Sequence, residues 1–82
     1  MFKQYKHIKL LDTKSFYDAT SKYGNYMAVS IAEVQYENGE TVYAVGYVVS
    51  DADGVLATFK EGQKESALNY FNALSAYALG KR

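Results

Sequence analysis

At 82 residues the chain is long enough for one domain, spanning 1–82, and too short for two hydrophobic cores. Hydrophobic residues make up 49% and charged residues 22%, a folded balance, and nine basic side chains cancel nine acidic ones, so no overall field recruits nucleic acid or an anionic membrane. The absence of cysteine excludes disulfides, thiolate metal sites and cysteine nucleophiles and suits a reducing, cytoplasmic compartment; no apolar run approaches the ~18 residues of a membrane helix, and no secretory signal pattern opens the chain.

Charge is unevenly placed along the chain. The first 25 residues carry Lys3, Lys6, Lys9, Lys14 and Lys22 against Asp12 and Asp18. The stretch 26–59 holds Glu33, Glu37, Glu40, Asp51 and Asp53 with no basic residue, and the remainder is again basic on balance. Any phosphate contact therefore belongs to the ends of the chain.

Residues 3–10 are a candidate fourth strand with poor alternation. Asp12 is placed to cap a short helix, with Leu11 and Phe16 as a hydrophobic staple and Gly24 as its stop. Next, Asn38-Gly39 between two strand-like runs predicts a two-residue type I′ hairpin. That turn pairs Tyr36 with Thr41, Val34 with Tyr43 and Ser30 with Tyr47. Asp51-Ala52-Asp53-Gly54 predicts a three-residue hairpin closed by Gly54. Three strands, about 26–36, 41–50 and 54–60, then form an antiparallel meander. Beyond Gly62 the period lengthens to 3.6, with Ala67, Leu68, Phe71, Leu74, Ala78 and Leu79 in a stripe, predicting a helix over about 63–79.

The fold class is α+β: a three- or four-stranded antiparallel meander packed on a C-terminal helix, with a short N-terminal helix. In the predicted register Met27, Val29, Ile31, Val42, Ala44, Gly46, Val48 and Leu56 form an aliphatic face for the helix, with Ile31, Val48, Leu68 and Phe71 buried together. Tyr36, Tyr43 and Tyr47, with Val45, Val49 and Phe59, form an aromatic face on the other side. Residues 1–24 either cover it or leave it partly open.

Site chemistry offers little to a catalyst. Asp51-x-Asp53-Gly54 resembles part of a calcium loop, but Val49 and Lys60 would stand at its first and last ligand positions, where carboxylates are needed. His7 is the only histidine and reads as an exposed strand-edge residue rather than a metal ligand. Ser15, Ser21 and Ser30 lie in no nucleophile elbow, and Glu33, Glu37 and Glu40 read as solvated charge around a turn. No enzyme, metal or cofactor is expected. Tyrosine, by contrast, suits interfaces, giving stiff contact area with a polar tip. The expected protein-binding residues are Tyr36, Glu37, Asn38, Glu40, Tyr43 and Tyr47, an aromatic centre with an acidic rim facing a partner with a basic surface. The chain itself is expected to be a monomer or weak homodimer.

Two resemblances bear on this reading. The order helix, three-stranded meander, helix resembles the double-stranded-RNA-binding domain, whose lysine cluster at the last helix is replaced here by Lys60-Glu61-Gly62-Gln63-Lys64-Glu65. The alternative it implies is a small nucleic-acid-binding domain using the N-terminal lysines. Asn25-Tyr26-Met27 through Tyr36-Glu37-Asn38-Gly39, a second hairpin and a closing helix with Tyr70-Phe71 resemble phage anti-CRISPR proteins that inhibit the type I-F surveillance complex. That resemblance implies a small sheet-plus-helix fold binding a protein surface through its sheet, in the cytoplasm of a host bacterium. It points to the tyrosines and hairpin acids as the contact residues.

Overall fold

The computed structural model describes residues 2–18, 25–49 and 52–80. Four strands follow one another: β1 (His7–Asp18), β2 (Asn25–Gln35), β3 (Thr41–Val49) and β4 (Ala52–Lys60). A single 3₁₀ turn, Glu61–Gln63, leads into the helix α1 (Lys64–Gly80). All neighbours are antiparallel and the sheet order is β1-β2-β3-β4. The antiparallel α+β architecture and the C-terminal helix are as the sequence predicts; a fourth strand is present, but over His7–Asp18 rather than residues 3–10. Gln63 helps start the helix, its Oε1 accepting a hydrogen bond from the Lys60 amide at 3.4 Å.

The expected N-terminal helix is not seen. β1 occupies its first part, and the remainder, residues 19–24, lies outside the described residues. Asp12 sits within β1 rather than capping a helix; its Oδ1 accepts from the adjacent Thr13 amide at 2.8 Å. A full ladder along β2 outweighs a short helix, because it satisfies the backbone of a longer segment at once. The poor alternation over residues 3–10 has a structural cause: the strand begins only at His7, after a turn over residues 3–6. Further on, a bulge between Leu10 and Asp12 leaves Leu11 without a partner in the ladder, so parity reverses there.

The β2–β3 turn also corrects the sequence reading. Gln35 pairs with Thr41 and Val34 with Val42, so the loop holds three residues, Glu37-Asn38-Gly39. Gly39 donates to the Tyr36 carbonyl at 3.0 Å, Tyr36 donates to the Glu40 carbonyl at 2.9 Å, and Gly39 has φ 91°. Asn-Gly serves this turn as well as the two-residue one; glycine takes the left-handed position in both. A register shift of one residue turns every β3 side chain to the other face. Similarly, β4 starts at Ala52, and Gly54 stands opposite Tyr47 inside the strand rather than closing a turn; Asp51 lies outside the described residues.

The helix therefore covers a different β3 surface from the one expected. Val29, Ile31, Tyr43 and Val45 pack with Ala67 and Phe71, with Leu11, Met27, Phe59, Leu68 and Leu74 at the margins. Val48 stands on the opposite face, so the expected cluster of Ile31, Val48, Leu68 and Phe71 does not form, and Leu56, at the β4 bulge, is exposed. Ser75 is buried against the sheet side of α1, its hydroxyl donating to the Phe71 carbonyl at 2.8 Å. The opposite face carries Ala32, Val34, Val42 and Ala44, onto which Phe2 and Tyr5 fold. Small side chains there leave room for two rings. Both faces of the central strands are thus buried, which is why Ala28–Ala32 and Val42–Gly46 are buried without alternation.

Candidate functional site

The six expected site residues separate into two groups. Tyr43 is 8% exposed beneath α1, and Tyr47 is half-buried on the same face, its ring over Gly54. A Cβ on Gly54 would lie 3.4 Å from that ring, in ordinary van der Waals contact. Tyr36 lies at the end of β2, where its ring meets Tyr5 at 5.4 Å between centroids, and Tyr5 in turn meets Phe2 at 6.4 Å. The three tyrosines do not make one open aromatic face.

What the fold does bring together is Tyr36 with Glu37, Asn38 and Glu40. The tip residues are exposed, while Tyr36 is half-buried. Four hydrogen bonds hold the turn: the two between Tyr36 and Gly39 or Glu40, Asn38 Oδ1 accepting from the Glu40 amide at 2.9 Å, and Gln35 Nε2 donating to the Gly39 carbonyl at 3.0 Å. The acids are therefore presented by a backbone fixed before any partner arrives. Beside them, the phenol of Tyr5 has its pKa raised, first by burial and then by the neighbouring Tyr36.

Phe2 has no place in the sequence reading, and Tyr5 enters it only as a tyrosine interleaved with the N-terminal lysines of the nucleic-acid alternative. Their signal is the pair of aromatics three apart just before the first strand, facing Ala32 and Val34 of β2. The Tyr5 amide donates to the Phe2 carbonyl at 3.1 Å, and Lys6 to the Gln35 carbonyl at 2.8 Å, so the segment crosses the sheet and then enters β1.

A shallow groove of about 290 Å³ lies at the same end of the sheet, lined by His7, Lys9, Glu33, Gln35 and Thr41 among others. It falls at the low end of ligand-pocket sizes, is open, and mixes polar side chains with the apolar Ile8 and Val34. Among the described residues no group of three or more metal-ligating side chains occurs. The serine–histidine combinations are spread out: His7 pairs with Gln35 and Thr13 with Ser30, about 17 Å apart along the ladder. Ser30 shares a hydrogen bond with Thr13 at 2.9 Å, and Ser21 lies outside the described residues. No buried side-chain polar atom among the described residues lacks a hydrogen-bond partner. No helix among them is long and apolar enough to cross a membrane.

No protein-family model, curated protein or solved structure matches the chain.

Proposed function

We propose that the protein is a non-catalytic binding module, a phage-encoded inhibitor that occupies a basic surface of a bacterial defence or nucleic-acid-handling complex. The observation that carries this reading is the β2–β3 tip: Glu37 and Glu40 exposed on a hydrogen-bonded turn, beside the Tyr5–Tyr36 ring pair. An acidic, pre-organised projection next to an aromatic anchor suits a lysine- and arginine-rich groove that otherwise holds nucleic acid. The resemblance to type I-F anti-CRISPR inhibitors supports the same class of partner. Within the expected residue set, Tyr36, Glu37, Asn38 and Glu40 carry the contact, while Tyr43 and Tyr47 act through the packing that holds the hairpin.

The experiment is a titration of the chain into purified type I-F surveillance complex, with duplex RNA in parallel. Stoichiometric binding to the complex is expected, weakened by about 2 kcal/mol or more in Tyr36→Ala with the fold intact. Glu37→Lys with Glu40→Lys slows association and reduces its salt dependence. Absence of binding to the complex, with micromolar RNA binding lost on changing Lys6, Lys9 and Lys14, overturns the reading in favour of the nucleic-acid alternative.

A further inference from the structure

β1 ends the sheet, and among the described residues no strand pairs with its outer edge. Its residues 7–10 and 12–15 are exposed. Ile8 and Leu10, at 49% and 58%, share the face that carries Phe2 and Tyr5, whereas Lys9 and, past the bulge, Asp12 and Lys14 share the helix face. An open edge of this length is a template for another strand.

A second copy of β1 is a poor occupant. The antiparallel self-pairing that uses residues 7–16 and keeps like faces together across the bulge sets Leu11 against Asp12, Leu10 against Thr13 and Lys9 against Lys14, each twice by symmetry. Like charges directly opposite repel, and Leu10 gains only a threonine. The edge rejects its own sequence while presenting Lys9 and Lys14, with Asp12 between them, on one side and Ile8 and Leu10 on the other.

We infer that this edge takes up an extended segment of a partner protein in which carboxylates, facing Lys9 and Lys14, alternate with apolar side chains facing Ile8 and Leu10. The Lys14 ammonium is already held 5.6 Å over the Phe71 ring, so one of the two charges is positioned in advance. Backbone pairing supplies affinity and the alternating side chains supply selectivity. The contact is separate from the acidic hairpin tip and stands whether or not that tip binds.

The test is selection of a displayed library of random peptides, roughly ten residues long to match the strand, against the full chain, followed by amide hydrogen exchange with an enriched peptide. Enrichment of alternating acidic and apolar residues is expected, with slowed exchange at alternate β1 amides. Binding weakens about tenfold in the Lys9→Glu, Lys14→Glu double variant, as two reversed cross-strand pairs imply, and returns with a peptide carrying lysine in place of the acids. Tyr36→Ala leaves peptide binding unchanged. The inference is overturned by a library that yields no alternating acidic binder, by protection confined to residues 36–40, by indifference to the double variant, or by sedimentation showing that the chain dimerises through β1.

Discussion

Replacing Phe71 by alanine removes the largest fully buried side chain, which is 1% exposed between Val29, Ile31, Tyr43 and Val45 on the sheet and Ala67 on its own helix. A phenylalanine buries about 150–250 Å², worth about 4–6 kcal/mol at ~25 cal/mol per Å². Alanine recovers a fraction of that, and the cavity left behind adds to the loss, giving about 3–5 kcal/mol. Lys14 loses its ring partner in the same change. A domain of this size has a total stability of about 4–12 kcal/mol, so the substitution removes between a quarter and all of it. The assay is urea unfolding followed by circular dichroism, with the melting temperature expected to fall by at least about 12 °C. Should the alanine variant fail to fold, Phe71→Leu is expected to fold with a loss of about 1–1.5 kcal/mol. A loss below about 1 kcal/mol for alanine would refute the packing of α1 on β2 and β3.

Three further outcomes follow from the same geometry. Val45→Ala, beneath the helix, should cost about 2 kcal/mol or more by urea unfolding, and Val48→Ala clearly less; the reverse order would restore the two-residue turn. Gly39→Ala should cost about 1 kcal/mol from backbone strain alone, since no atom lies within 4 Å of the added Cβ; a neutral result by the same assay would argue against a left-handed Gly39. Because the folded pKa of Tyr5 is raised, its stabilisation is complete below its unfolded value of 10.0 and is lost as pH climbs from there through the folded value. Tyr5→Phe should therefore flatten the alkaline stability curve, and an unchanged slope in pH-dependent unfolding would count against burial of the phenol.

Periodicity in the sequence was enough to find α1, the β2 core residues Val29 and Ile31, and the acidic turn, because each rests on local spacing. The face of β3 was not legible. Asn38-Gly39 satisfies two turns that differ by one residue, and the choice rests on tertiary packing: Phe2 and Tyr5 need the small side chains of Ala32 and Ala44, while α1 takes the larger Tyr43 and Val45. For β1, the bulge at Leu11 broke the alternation that would have marked a strand, and Asp12 resembled a helix cap. The tip acids and Tyr36 stayed together because they adjoin in sequence, whereas Tyr43 and Tyr47 depended on the register and went under the helix.

The order of the sheet has a consequence for how the chain reaches this structure. Each strand pairs with its neighbour in sequence, so assembly needs only short loop closures, with hairpins forming on a microsecond scale and no long crossover to wait for. α1 is the exception, reaching back to β2 and β3. During synthesis the whole meander emerges before residue 64, and until the helix follows, Val29, Ile31, Tyr43 and Val45 have no cover from it. The emergence of α1 thus ends the interval in which the nascent sheet is most exposed to aggregation.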